Sequence, residues 1–266
     1  MPSIWLCHQV AESAPTPGWL LPAEAETVAR LGSPRRREFL SSRWLIRQAL
    51  ALASDERPEA CAPVTGRPVQ SARPPGWRLS LSHSHGLCAC AVGDSDALGI
   101  DLEPRGRHPQ WQRVVRRWFS EAEQTWLLAR DNPEDFLVAW TLKEAWLKAT
   151  GRGIAGNLQT LEIGPGFILT GDTALAGWHA ACFDCEGYLV TLVYRRRDGT
   201  DHPSGWPPIQ LLEPPPEDLA LSQAERLPTL WEPFLQRSIT PRPAAWTSDV
   251  RPGQPVVCKS ETKERP

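Results

Sequence analysis

The clearest hydrophobic pattern in this chain runs from Asn132 to Gly151, where apolar residues recur at helical spacing between two well-marked ends. Asn132 can cap the N-terminus, Pro133 suits the first helical position, and Glu134 and Asp135 favour the positive end of the dipole. Gly151 can take the left-handed conformation just past the last turn. At about 100° per residue, Leu137, Trp140, Glu144 and Leu147 fall on one stripe, with Lys148 at its edge. This places a carboxylate among apolar residues. Burying it costs roughly several kcal/mol unless a cation or strong donors meet it. The alternative is a solvated i,i+4 Glu144–Lys148 pair worth about 0.3 kcal/mol. The apolar flanks favour the first reading, so Glu144 needs a partner.

The remaining pattern predicts alternating strands and helices. Residues 3–10 read as a strand and 21–31 as a short helix. Ser33-Pro34 opens a longer helix to about residue 53. On it Arg36, Arg43 and Arg47 share one stripe, which is either a solvated basic face or a phosphate clamp. Residues 57–76 are rich in Pro and Gly and read as loop, with Arg67 in a tight Thr-Gly-Arg-Pro turn. Residues 77–92 are strand-like around Ser80-Leu81-Ser82-His83-Ser84-His85-Gly86. Those hydroxyls and imidazoles can donate to an anion, while His85 is better read as part of a polar turn. Residues 93–96 read as a hairpin turn.

Residues 97–104 alternate in polarity and read as a strand that Pro104 ends. Asp101 and Glu103 then share one face and Leu102 points away. A Trp- and Arg-rich helix is predicted over 109–119, and a capping box, Ser120 with Glu123, opens the next. That capping role is the first reading of Glu123, and proton transfer the second. Residues 167–170, 178–183 and 188–194 read as strands. Residues 205–212 read as a last edge strand. From 213 onward the chain turns polar and Pro-rich, predicting an irregular tail in which 219–235 is a candidate docking helix.

Composition changes the picture in three ways. Net charge is −2, so no global basic field drives binding to nucleic acid or a membrane. No apolar run approaches the ~20 residues of a membrane span, and the first ten residues lack the basic lead of a signal peptide. The seven cysteines are an odd number at irregular spacing, which predicts reduced thiols in a cytoplasm. Cys182 and Cys185 form a lone CxxC without a second pair, so they read as structural.

The candidate chemistry rests on Asp101, Glu103 and Glu144. Two carboxylates side by side repel unless a cation lies between them. A hard divalent ion such as Mg²⁺ takes carboxylates together with phosphate oxygens and water.

These pieces together resemble the 4′-phosphopantetheinyl transferase superfamily, of its larger two-lobed kind. Gly99-Ile100-Asp101-Leu102-Glu103 matches the family's Gly-[Ile/Val]-Asp-x-Glu strand. Trp140-Thr141-Leu142-Lys143-Glu144-Ala145-Trp146-Leu147-Lys148 matches its Trp-x-x-Lys-Glu-[Ala/Ser]-x-x-Lys helix. Phe119-Ser120-Glu121-Ala122-Glu123 is similar to its Phe-[Ser/Thr]-x-x-Glu segment. Gly66-Arg67-Pro68 matches a Gly-Lys-Pro turn with Arg for Lys. Leu81-Ser82-His83-Ser84 matches the Ser-His-Ser segment, with His85 inserted before the glycine. The resemblance runs from about residue 3 to 212 and leaves out the tail.

The resemblance implies an α+β fold of two similar lobes, each a small antiparallel sheet packed on helices. The expected division is 1–100, 101–213 and a tail over 214–266. It implies coenzyme A as donor and Mg²⁺ held by Asp101, Glu103 and Glu144. Arg43, Arg67, Ser82 and His83 would bind the phosphates of coenzyme A, with Arg36 unplaced. A serine of an apo acyl or peptidyl carrier protein would attack the β-phosphate and release adenosine 3′,5′-bisphosphate. Glu144 or a metal-bound water would take the serine proton, and Lys148 would offset charge on the leaving group. The carrier would dock around Trp111 to Trp118, and a cytoplasmic monomer is implied. The rivals are a carrier- or nucleotide-binding paralogue without turnover, and another Mg²⁺-dependent nucleotide phosphohydrolase.

Overall fold

The computed structural model describes residues 1–64, 72–106, 110–196, 205–227 and 231–242. The first part contains β1 (Ser3–His8), α1 (Pro22–Ala29), α2 (Ser33–Ser54), β2 (Ala62–Pro63), β3 (Ala72–Arg73), β4 (Arg78–Ser84) and β5 (Leu87–Gly93). Then come β6 (Ala97–Pro104), α3 (Trp111–Trp118), α4 (Glu121–Arg130), α5 (Pro133–Thr150), β7 (Leu161–Gly164) and β8 (Ile168–Asp172). The chain continues through β9 (Trp178–Cys185), β10 (Tyr188–Arg195), β11 (Ile209–Leu211) and β12 (Pro233–Arg242). This is an α+β fold. One sheet has the order β11-β1-β5-β4 and a larger one the order β6-β10-β9-β12-β8-β7.

Strand periodicity decides how these layers stack. Trp5 and Cys7 of β1, with Cys88 and Cys90 of β5, pack with the apolar side of α2. Their alternates Ile4, Leu6, Leu87, Ala89 and Ala91 point the other way. There they meet Leu98, Ile100 and Leu102 of β6, Phe183 of β9, and Val190 and Leu192 of β10. The far face of the larger sheet packs on α5. The order is therefore helix, sheet, sheet, helix, with two sheet faces sharing the middle core. Cys182 and Cys185 fall on opposite faces of β9 for the same reason, so this CxxC cannot converge on one ion. All six described cysteines are buried and free. No helix among the described residues is long and apolar enough to cross a membrane.

The cap signals were legible. Asn132 Oδ1 accepts from the Glu134 amide at 3.0 Å and Gly151 has φ 69°. Ser120 and Glu123 form the reciprocal capping box of α4. Other expectations need correction. The turn over 93–96 is not a hairpin, because it carries the chain from β5 in one sheet to β6 in the other. β11 returns to pair in parallel with β1, which ties residues 209–211 to the first sheet. No helix forms over the described part of 219–235. Leu219 and Leu221 instead pack into the core beneath α2. Within the supposedly irregular tail, β12 inserts between β9 and β8 through Leu235 and Ile239. Two apolar residues four apart were too weak a signal for a strand that tertiary pairing stabilises.

Helix α5 is buried nearly all round, including Leu137, Leu142, Ala145, Trp146 and Leu147. Its least buried stripe is Trp140, Glu144 and Lys148. Glu144 therefore sits at the helix edge and not in the middle of an apolar face. The charge in the deep core is Lys143, which is 0% exposed.

Candidate active site

The site forms where β6, β4 and α5 meet. Gly99, Asp101 and Glu103 point from β6 toward α5, since Leu98, Ile100 and Leu102 are committed to the middle core. Gly99 makes the approach close. A methyl group there would lie 2.0 Å from the Ala145 carbonyl and 2.4 Å from the Ala149 amide. No larger residue fits this crossing, which explains the glycine that opens the strand motif.

Asp101 is 6% exposed and is held on one side only. Its Oδ1 accepts from Lys148 Nζ at 2.9 Å and from Ser82 Oγ at 3.1 Å. Lys148 also donates to Ser82 Oγ at 3.0 Å and to the Ile100 carbonyl at 2.9 Å. Three acceptors thus match the three N–H groups of the ammonium. Asp101 Oδ2 is buried and has no hydrogen-bond partner among the described residues. Across from it, Glu144 is pushed up to about 7 by burial. Asp101 adds to that shift, Lys148 opposes it, and Glu103 adds again. Glu103 Oε2 accepts from Ser84 Oγ at 3.2 Å.

A buried carboxylate oxygen without a donor, beside a carboxylate that resists ionising, is an arrangement that a cation would relieve. Among the described residues no group of three His, Cys, Asp or Glu side chains forms a ready-made metal cage. Mg²⁺ rarely uses such cages and is usually held by one or two carboxylates completed by substrate phosphates and water. The donor set fits that ion, with the remaining ligands left for a substrate.

The phosphate-binding candidates divide. Ser82 joins the site directly. His83, between Ser82 and Ser84 on β4, faces the other way, with Nδ1 at 3.7 Å from Glu38 Oε2 of α2. Burial lowers its pKa, Glu38 opposes the shift, and Lys148 and Arg35 add to it. Arg43 is occupied by an internal anion, pairing with Glu24 at 2.9 Å and stacking on Phe39. Arg47 is buried against the same Glu24 at 2.7 Å. Arg36 holds the Ala14 carbonyl at 2.7 Å. All three helix arginines thus have partners within the fold. Arg67 lies outside the described residues.

Glu123 takes no part in this site. It is 0% exposed, and its Oε1 pairs with Lys143 Nζ at 2.7 Å and accepts from the Ile163 amide. Lys143 also donates to the Leu158 and Leu161 carbonyls. Removing either partner would strand a buried charge at a cost of about 3–5 kcal/mol. The proton-transfer reading of Glu123 is replaced by this structural one. Sequence reasoning missed the pair, although a lysine at an otherwise apolar helical position was its signal. Trp111 is likewise buried, which leaves Arg113, Arg116, Arg117 and Trp118 as the exposed face of α3.

Comparison with known proteins fits this geometry. Residues 97–193 match the model of the 4′-phosphopantetheinyl transferase superfamily. Residues 23–93 match that of the 4′-phosphopantetheinyl transferase N-terminal domain. The chain is 34% identical to 4′-phosphopantetheinyl transferase HetI of Nostoc over 138 residues, which is 48% of this chain and 57% of HetI. It is 33% identical to 4′-phosphopantetheinyl transferase Sfp of Bacillus subtilis over 92 residues, 34% of this chain and 40% of Sfp. It is 30% identical to the human L-aminoadipate-semialdehyde dehydrogenase-phosphopantetheinyl transferase over 112 residues, 36% of either chain. The matches thus span about half the length of these relatives or less. The superfamily match takes in both motif elements of the site, β6 and α5, and the N-terminal match takes in the serine-bearing strand β4. On these grounds the chain belongs to the 4′-phosphopantetheinyl transferase superfamily.

Proposed function

We propose that this protein transfers 4′-phosphopantetheine from coenzyme A to a serine of an apo acyl or peptidyl carrier protein, releasing adenosine 3′,5′-bisphosphate. The observation that carries this reading is Asp101, gripped on Oδ1 by Lys148 and Ser82 while its buried Oδ2 has no partner among the described residues. Asp101, Glu103 and Glu144 would hold Mg²⁺, which when bound would neutralise charge on the diphosphate. Lys148 fixes Asp101 and adds positive charge to the floor of the site. The serine oxygen attacks the β-phosphorus, and the bond from that phosphorus to the bridging oxygen breaks. The bridging oxygen leaves with adenosine 3′,5′-bisphosphate. Glu144 is the acceptor for the serine proton. Such chemistry asks mainly for positioning and charge neutralisation.

Ser82, His83 and Arg67 would bind the phosphates, and Arg43 would join them by exchanging Glu24 for a phosphate. The carrier would dock on Arg113, Arg116, Arg117 and Trp118, an exposed basic face suited to an acidic partner. We further propose that the two sheet-and-helix halves, about 1–100 and 101–213, are similar lobes with coenzyme A between them. They would work as a monomer in the cytoplasm.

Incubation with coenzyme A, Mg²⁺ and a panel of apo carrier proteins, followed by intact-mass measurement of each carrier, tests the proposal. The expected result is a gain of one phosphopantetheinyl group on at least one carrier. Coenzyme A binding with no mass gain on any carrier would overturn it. So would release of adenosine 3′,5′-bisphosphate in the absence of any carrier.

A further inference from the structure

We propose that Ser84, together with the inserted His85, is a positioning device for Glu103 that sets metal affinity at the site. The inference rests on the transferase reading for its context but on β4 for its evidence. β4 is the edge strand of one sheet and β6 the edge strand of the other, and no backbone ladder joins them. Side chains stitch this seam instead. Ser80, Ser82 and Ser84 alternate along β4, so all three face β6, and all three are buried. Each meets β6 in turn. Ser80 Oγ accepts from the Ile100 amide at 3.0 Å. Ser82 Oγ donates to Asp101 Oδ1 at 3.1 Å and Ser84 Oγ to Glu103 Oε2 at 3.2 Å.

The first serine holds backbone, while the second and third hold the two carboxylates of the strand motif. Ser84 is special in its other contact, since its Oγ lies 2.9 Å from His85 Nδ1. A hydroxyl has one proton, so a Ser84 that donates to Glu103 accepts from the ring N–H of His85. His85 is itself fixed. It sits in the β4–β5 turn at φ 46°, followed by Gly86 at φ 94°, and its carbonyl accepts from Tyr188 Oη at 2.7 Å. The inserted residue therefore lets the turn close and gives the third serine a donor. The chain of bonds runs from His85 through Ser84 to Glu103. Loss of a group that orients a metal-binding side chain from behind typically costs about 10- to 100-fold in metal affinity.

The test is Mn²⁺ binding to the full chain, read from the electron paramagnetic resonance signal of the free ion. Ser84→Ala is expected to weaken binding about 10- to 100-fold. Ser84→Thr, which keeps the hydroxyl on a strand, restores most of it. Ser80→Ala lowers the melting temperature but leaves Mn²⁺ affinity unchanged, separating the seam from the metal. His85→Gly suits the turn's left-handed backbone, keeps Ser84 and weakens binding in the same direction, and this holds even if Ser84→Ala misfolds. Wild-type Mn²⁺ affinity in both Ser84→Ala and His85→Gly, or no Mn²⁺ binding by the wild type, would overturn the proposal. A wild type that binds Mn²⁺ in this pattern yet modifies no carrier would leave the positioning role standing and remove the transferase reading.

Discussion

Glu144→Gln lowers carrier modification by about 10²- to 10³-fold and makes the metal-free protein more stable at pH 8. The two effects share one cause. Glu144 is pushed up to about 7 from an ordinary 4.5 by burial first, then by Asp101, against the opposing charge of Lys148. The sign of the stability effect follows. Between those two values the folded protein binds the proton and the unfolded chain does not, so metal-free stability falls as pH rises from about 4.5 to about 7. The loss is on the order of 2–3 kcal/mol and is complete above the folded value. Glutamine carries no charge, so melting curves of Glu144→Gln stay flat through that window and cross above wild type near its upper end. Saturating Mg²⁺ with coenzyme A should restore the wild-type protein and not the variant. Asp101→Asn separates the two effects. It loses transfer as well, but it also weakens the charged hydrogen bonds from Lys148 and Ser82, so it gains no stability. Melting curves for both variants from pH 4.5 to 8.5, beside carrier mass measurements, check the whole set. A Glu144→Gln protein less stable than wild type at pH 8 would show Glu144 to be a structural partner.

Gly99→Ala is the second large effect, and it acts through backbone. The added methyl would lie 2.0 Å from the Ala145 carbonyl, whereas ordinary contact begins at 3.4 Å. Strand and helix must part by ~1 Å or more, which costs about 3 kcal/mol or more in a packed core. Asp101 lies two residues on and Lys148 one turn from the contact, so the displacement reaches the Asp101–Lys148 bond itself. A shift of ~1 Å at a reacting centre is enough to remove transfer about 10²-fold. Denaturant unfolding and carrier modification, measured on the same preparation, test this. Wild-type values for both would show that β6 and α5 do not cross where Gly99 places them.

What was legible in the sequence was local. Caps, Pro104 and the two-residue alternation marked α5, α4 and β6, because those signals depend on neighbours a few positions away. The carboxylates of Asp101 and Glu103 could be placed on one face from period alone. What was not legible needed a partner from far along the chain. Nothing near Lys143 names Glu123, twenty residues back, as the anion that makes its burial tolerable. Nothing near Arg43 names Glu24, which occupies the guanidinium that a phosphate was expected to fill. The hydrogen bonds of Lys148 to Asp101, Ser82 and a β6 carbonyl were hidden for the same reason. The stripe drawn through Glu144 misjudged its surroundings, because α5 is covered on almost every side and the exposed edge is the exception. β12 was hidden because a strand inserted between two others borrows its stability from both.

The most direct measurement is a crystal structure with coenzyme A and Mn²⁺, with the metal located by its anomalous signal. The expected result is one peak within coordination distance of carboxylate oxygens of Asp101, Glu103 and Glu144, with the diphosphate beside it. A metal and diphosphate bound together elsewhere on the chain, or a diphosphate seated here while Asp101 Oδ2 stays without any cation, would contradict it.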